Sequence, residues 1–594
     1  MDKKSFLGFL LIALIIIFLP KYYKMINPKS SKPDSTISST FPTNIPQVDS
    51  IKQDESQFAP SHTKEFFDTP ADSIDEQLYK VNTDLYKAVL SNRAGGSLVS
   101  FELKGHLEFS DNDTSMVNLI NQHQHPNLYI QFFDTEAGTE KRLINNFKLI
   151  NQHGSNFTVS EEESLDLTFQ LIIEGKPVSR TFTFTGNKYY FNLKTNMVAI
   201  SDNIASGIYK LCWDGGISYT EKNIADENRY SIAYAHTDPD ETEKFKLKKA
   251  KYESSDFTGK THWTAIRSKY FTVAMVPEKK SEGYTLFGNG RNIKPDEAKK
   301  SILYKYFGMS LNLPKHSVSN TTIYLGPLKK DLLTSIDPKL DNVMSFGAAW
   351  IRPISKVVLW LFTNLYKVIP NYGFVIIIFS IFIKILLHPL SVKSTQSMKG
   401  MHKLSPLIAE LKEKYPNDPK KLNQATMKLY GEHGVNPMGG CLPILLQMPI
   451  LFALFTVFRT TLELRHAPFV FWITDLSAPD ALFQLPFVIP FYGQNFNVLP
   501  FILVASQIFM QKMSGQSQNP QQKQMALIMP IMFFFVFQNF PSGLNLYYAL
   551  FNILTVVQQQ YFTPDPKPKT TKTKQKKSRF DRMREIQQKR KNFK

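Results

Sequence analysis

The stretch Gly373–Leu390, GFVIIIFSIFIKILLHPL, decides how the rest of this chain is read. It is apolar enough to lie in lipid but for one cation, Lys384. A lysine at a bilayer centre costs ~2.5–3.5 kcal/mol on insertion scales, so it either escapes to the interface or has a use where it stands. Pro389 is five residues on, ~8 Å at helical rise, a distance a lysine stem largely covers, so snorkelling is one reading. The other comes from polar residues in neighbouring apolar runs. Ser380 shares a helix face with Lys384, Asn545, Tyr548, Asn552 and Thr555 share another, and Gln447 and Gln507 stand in two further runs. These runs hold no Asp or Glu, the nearest being Glu463, so they offer Lys384 no intramembrane ion pair. Uncompensated polar groups on several helices describe either a water-containing concavity or hydrogen bonds that glue a bundle.

Outward from this stretch, the chain of 594 residues falls into two unlike halves, which a mean hydropathy of −0.22 averages away. Asn27 to Leu340 is polar; Trp350 to Phe562 is apolar and rich in aromatics. Much of the net charge of +19 sits after Phe562, where 13 Lys and Arg face only Asp565, Asp581 and Glu585. That is a basic arm on a membrane protein. It serves either as a solvated topology signal or as a contact for ribosomal RNA or anionic lipid, which charge alone does not separate. Cys212 and Cys441 lie in different halves, so neither a disulfide nor a zinc site is expected.

Residues 1–24, MDKKSFLGFLLIALIIIFLPKYYK, read as an uncleaved transmembrane anchor: Tyr22 and Tyr23 suit an interface, and no small-residue cleavage site follows. Residues 25–76 are a Ser-, Thr- and Pro-rich linker with too little apolar surface to order itself. Residues 77–340 alternate in short β-branched and aromatic runs, the pattern of an all-β sandwich, and Gly186-Asn187 signals a two-residue hairpin. Residues 341–370 contain an amphipathic stripe with Arg352, Lys356 and Lys367 interspersed, an interfacial helix with Trp350 and Trp360 at headgroup depth. Residues 371–562 hold five spans: Gly373–Pro389, Cys441–Leu462, about Phe496–Met513, Gln524–Gln538 and Gly543–Phe562. With the anchor they make six transmembrane helices.

The segment 391–436 carries eight Lys against four acids, whereas Leu464–Gln494 has Arg465 as its one cation. The positive-inside rule therefore places both termini and this segment in the cytoplasm and the β domain outside it. Met398, Met401, Leu404, Leu407, Ile408 and Leu411 form one stripe, and Leu422, Met427, Leu429 and Tyr430 begin another. This is a helical hairpin whose Met-rich face either adapts to varied apolar partners or packs on itself. Residues 563–594 are the basic tail. No phosphate-binding loop, zinc-protease helix or nucleophile elbow occurs, so no catalytic site, cofactor or metal is expected and the chain does not read as an enzyme.

Three stretches of the apolar half, NPMGGCLPILLQMPILFAL at Asn436–Leu454, APFVFWITDLSAPD at Ala467–Asp480 and FPSGLNLYYALFNILTVVQQQ at Phe540–Gln560, resemble the bacterial YidC membrane protein insertases. LSNRAGGSLVSFEL, KYFTVAMVP at Lys269–Pro277 and YLGPL at Tyr324–Leu328 are similar to that family's large periplasmic domain. The resemblance implies a Gram-negative type insertase of the inner membrane. Five core helices would enclose a hydrophilic groove open to cytoplasm and lipid, with nascent membrane proteins as clients, acting alone or with the Sec translocon. It assigns Lys384, Ser380, Gln447, Asn545, Tyr548 and Asn552 to the groove and Met398, Met401 and Leu404 to client contact on the hairpin. Many relatives carry arginine where this chain has Lys384, so bidentate contacts do not transfer. Asn539 likewise stands where some have tryptophan. The rival reading from residues alone is a small-solute transporter or channel, which lacks support from inverted repeats or coupling carboxylates. A scaffold whose β domain binds a partner is the third.

Overall fold

The computed structural model describes residues 74–563, apart from 111–112, 121–125, 222, 294–300, 417, 437–441, 490–491 and 514–519. The expected anchor, nearly all of the linker and the basic tail lie outside the described residues. Within them the chain divides into a β-rich unit ending at Ser345 and a helical unit beginning at Phe346.

In the β-rich unit, alternation in sequence becomes alternation of burial. Lys176–Thr185 buries Val178, Arg180, Phe182 and Phe184 and turns its intervening residues outward. A five-stranded sheet and a second, much larger sheet share one apolar core, with the Tyr79 ring 5.5 Å from that of Phe169 across it. The hairpin at Gly186-Asn187 forms, pairing Phe184 with Phe191, but its loop runs from Gly186 to Tyr189 rather than over two residues. A neighbouring turn explains the difference. Gly186 N donates to Glu163 O and Asn187 N to Glu161 O at 2.8 Å, so the loop closes on that turn instead of on itself. The unit extends past the expected limit at residue 340, because Leu333, Leu340 and Val343 are buried with Tyr234, Trp263 and Tyr324.

One buried carboxyl in this unit supports a pH prediction. Glu227 is fully buried and accepts from Thr220 N at 2.8 Å and Glu221 N at 2.9 Å. Burial, reinforced by the Glu221 carboxylate, pushes its pKa from 4.5 to about 8 against those donors. The native state therefore holds a proton that the unfolded chain releases above the ordinary carboxylate range. Stability of the β-rich unit should fall as pH rises through that window and level off above about 8. Glu227→Gln should flatten this slope, measured as the unfolding midpoint of the β signal across pH; an unchanged slope would refute the assignment.

The helical unit opens with α1 (Arg352–Val368), which turns Trp360 outward and buries Val358 and Phe362. α2 (Tyr372–Leu386) is capped by Asn371, whose side chain accepts from the Gly373 and Phe374 amides. α3 (His388–Lys403), α4 (Ser405–Lys414) and α5 (Pro419–Glu432) follow. Each has proline in its first turn, where a missing N–H costs nothing, so Pro389, Pro406 and Pro419 mark three starts. The expected two-armed hairpin is thus α4 on α5, and its first stripe breaks at Leu404.

α6 (Leu442–Thr460), α7 (Leu499–Met513), α8 (Pro520–Phe537) and α9 (Ser542–Tyr561) complete the unit. α9 packs on both α2 and α7, and α7 packs on α8. The third expected span loses its first residues, because Phe496 and Asn497 belong to a strand, Gly493–Asn497, paired with Ala481–Ile489.

Among the described residues no single helix is long and apolar enough to cross a membrane. α2 and α3 meet that test only as a pair bent by 66°, and the apolar portions Gln447–Thr460, Leu499–Gln511 and Ile528–Phe537 are shorter. α9 has the length, but Asn545, Asn552, Thr555 and Gln558–Gln560 dilute its hydropathy.

Candidate functional site

Lys384 stands in the last turn of α2, where a cation suits the helix dipole. Its side chain does not run out into solvent: the residue is 7 % exposed. Nζ donates to Thr555 Oγ1 of α9 at 2.7 Å and lies 4.6 Å from the centre of the Phe551 ring. Thr555 in turn donates to Phe551 O at 2.6 Å, so its hydroxyl hydrogen is committed and its oxygen faces the ammonium. Among the described residues no carboxylate pairs with Lys384. A hydroxyl oxygen and a ring face are what hold this cation.

Around this contact the other groove candidates separate. Ser380 is fully buried one turn earlier on α2 and donates to Ile376 O at 2.7 Å within its own helix. Asn552, one turn before Thr555, is buried and donates from Nδ2 to Ser506 Oγ of α7 at 3.1 Å. Lys384, Ser380, Thr555 and Asn552 therefore gather where α2 and α7 flank α9.

Asn545 does not join them. It lies ten residues before Thr555, ~15 Å along the helix, and donates to Phe537 O at the end of α8. That is the bundle-gluing alternative, realised at one position. Tyr548 packs beside Phe537, with ring centres 5.3 Å apart. The Gln447 side chain lies close enough to Tyr547 to interact with its hydroxyl, and among the described residues Gln447 Nε2, the Tyr547 hydroxyl, Gln507 Oε1 and Asn545 Oδ1 are buried without a hydrogen bond of good geometry. Such atoms normally find protein or water.

The stretches that carried the resemblance brace the opposite end of the bundle. Asp480 Oδ2 accepts from Val498 N, Leu499 N and Trp472 Nε1 at 2.9, 2.6 and 3.1 Å, capping α7. Burial pushes its pKa up against these donors. Asp475 pairs with His466 at 3.2 Å and accepts from Ser477; burial opposes its charge, but these bonds prevail and hold its pKa below the ordinary value. Gly543 N donates to Leu476 O, and a Cβ on Gly543 would sit 2.5 Å from the Phe458 ring. Only glycine lets α9 start this close to the loop.

The hairpin candidates are likewise unequal. Met398 and Leu404 are buried, and Met401 is half-buried. The chain after α5 returns to α3: Asn436 O accepts from Ser397 Oγ at 2.5 Å, and Val435 sits beside Gly400. Leu407 and Met427 are the exposed members of the stripes. Of the three residues expected to contact a client, Met398 and Leu404 are covered by this packing and Met401 stays half-buried.

Sequence reasoning gave no role to Phe551, Ser506 or the contact of Gln558 with His388 Nδ1 at 2.8 Å. Thr555 was visible on the α9 stripe, but its special standing comes from Lys384.

The chain matches a family described as the 60Kd inner membrane protein over residues 364–570 and the YidC periplasmic domain over residues 78–361. A membrane protein insertase YidC from Chlorobaculum parvum is 34% identical over 576 residues, 94% of each chain. One from Chloroherpeton thalassium is 33% identical over 596 residues, 97% of this chain and 98% of the other. A crystal structure of an active YidC insertase with its first transmembrane domain resolved is 20% identical, covering 83% of this chain and 94% of that one at a TM-score of 0.35.

Proposed function

Because this chain belongs to the YidC family of membrane protein insertases, we propose that Lys384 is the cation of its client groove. The protein is an insertase of the bacterial inner membrane, a non-enzymatic role, with a β-rich periplasmic domain and a helical C-terminal region. The observation that carries the groove assignment is a buried ammonium held, among the described residues, by the Thr555 hydroxyl and the Phe551 ring.

A cation so placed is poised for an anion that arrives. A nascent segment led by a short acidic tail meets the cytoplasmic hairpin, the tail moves towards Lys384, and the apolar segment slides into lipid along the exposed helices. Partition of ~20 apolar residues drives the step, and the membrane potential adds ~2.3 kcal/mol per tail charge per 100 mV. No nucleotide enters this scheme. Ser380 and Asn552 line the groove near Lys384; Gln447, Asn545 and Tyr548 line it further along, where Gln447 Nε2 and Asn545 Oδ1, buried without a hydrogen-bond partner among the described residues, suit a wetted wall. The braced loop at Asp475 and Asp480 serves to close the far end.

Further parts of the reading rest on composition. Six spans, both termini cytoplasmic, work alone or beside the Sec translocon, and ribosome contact through the basic tail follow from the charge pattern and the family's role. Photocrosslinkers at Asn552 and Thr555 should capture a ribosome-stalled single-span client, and one at the exposed Tyr252 of the β-rich unit should not. Equal capture from all three would defeat the groove assignment.

A further inference from the structure

We propose that the ribbon formed by the Ala481–Ile489 and Gly493–Asn497 strands is seated in lipid at the headgroup and acyl boundary of the outer leaflet. The inference rests on the membrane reading above and adds to it a second element, besides α1, that contacts the bilayer without crossing it.

The composition is the first support. From Ala481 through Gln511 no residue is charged, so the ribbon and most of α7 form one uncharged stretch. Exposure is the second. Phe487 is 60 % exposed, and Leu482, Phe483 and Ile489 are exposed with it. The pairing shifts register between Ala481 and Phe483, and the consecutive residues Leu482, Phe483 and Gln484 are all exposed, so the ribbon leaves its apolar side chains uncovered. A two-stranded ribbon is marginal in water on its own, and this one buries little of its own apolar surface.

Continuity names the occupant. The Phe483 ring stacks on Phe496 at 4.9 Å, Phe496 on Phe501 at 5.4 Å, and Phe501 meets Phe534 edge-on at 4.7 Å. This chain of rings joins the ribbon to α7 and α8, whose Ile502, Phe509, Ile528, Ile531 and Phe535 are also exposed. An apolar wall on an insertase's helices faces acyl chains, and the ribbon prolongs that wall without a charged break.

Hydrogen bonding sets the depth. The outer edges of a two-stranded ribbon carry backbone groups with no ladder partner, which hydrocarbon does not tolerate. The backbone therefore stays among headgroups while the side chains reach ~5–10 Å into the boundary. Pro486 removes one donor from the longer strand. Gln484, Gln494 and Asn495 supply polar tips for the hydrated side, and Tyr492, stacked on Phe534 at 5.8 Å, suits the interface.

The test uses the full chain in phosphatidylcholine vesicles with an environment-sensitive fluorophore on Phe487→Cys, Leu482→Cys or Phe509→Cys. Cys441→Ser removes one native thiol, and Cys212 is buried. Nitroxide lipids labelled near the headgroup should quench both ribbon probes about twofold more than lipids labelled near the methyl end, with little quenching by aqueous iodide. The Phe509→Cys probe should respond to the deeper nitroxide. If iodide reaches the ribbon probes while lipid quenches the α7 probe, the ribbon is in water and the proposal fails. If neither quencher reaches them, a second copy of this chain covers the ribbon and the proposal fails as well. If the α7 probe is not quenched by lipid, the membrane reading fails and takes the proposal with it.

Discussion

Lys384→Glu should abolish insertion of a client whose leading tail carries Asp or Glu and damage a neutral-tailed client far less. Two features of the site set the sign. The new carboxylate would lie by the Phe551 ring face, which repels anions, and near a Thr555 hydroxyl whose hydrogen already goes to Phe551 O. An arriving acidic tail would then meet like charge. Two unit charges ~4 Å apart interact by about 4 kcal/mol at an effective dielectric of ~20, so even half of that changes a rate about thirtyfold. Lys384→Arg keeps the cation and should stay close to the parent protein; Lys384→Gln keeps hydrogen bonding without charge and should fall between. Thr555→Val removes the anchor but not the charge, so it should lower insertion modestly and equally for both tails. All five proteins would be compared in reconstituted vesicles on one single-span client with a neutral or an acidic tail. Equal insertion of the acidic client by Lys384→Glu and the parent would end the attraction hypothesis.

Leu404→Asp should collapse the hairpin of α4 on α5. Leu404 is 6 % exposed at the kink between α3 and α4, and a carboxylate forced into that position costs about 3 kcal/mol or drives the kink open. The variant should be cut readily by protease between α3 and α5 and should insert poorly. Leu404→Met conserves volume and should behave like the parent. Leu407→Asp provides the contrast: at 37 % exposure it should leave the hairpin resistant to protease but weaken client crosslinking. If Leu404→Asp stays resistant and active, burial of this side chain does not hold the kink.

The expected client-contact set, Met398, Met401 and Leu404, holds two buried side chains and one half-buried one, whereas the exposed Leu407 stands outside it, for an identifiable reason. Met398, Met401, Leu404 and Leu407 share one periodic stripe, and periodicity reports which side chains line up, not what covers them. Pro406 was the legible warning that the stripe would break, since proline fits a first helical turn and resists an interior one. The ribbon at 481–497 was hidden differently. Its apolar strand residues and the first turn of α7 have the same composition, so the sequence places the start of the span at about Phe496, and only strand pairing separates the two.

By itself the sequence determined the division into a polar, alternating half and an apolar, helical half, the oddity of Lys384, and the absence of any intramembrane acid to pair with it. Each is a local property: composition, a period of two or 3.6, or a charge within one run. The tertiary structure alone decided that Thr555, 171 residues away, receives the ammonium, and that Asn545 on the same stripe ties α9 to α8 instead. Both residues are polar at helical spacing in one span. They differ in which helix passes opposite, and a repeat along one helix holds no information about its neighbours.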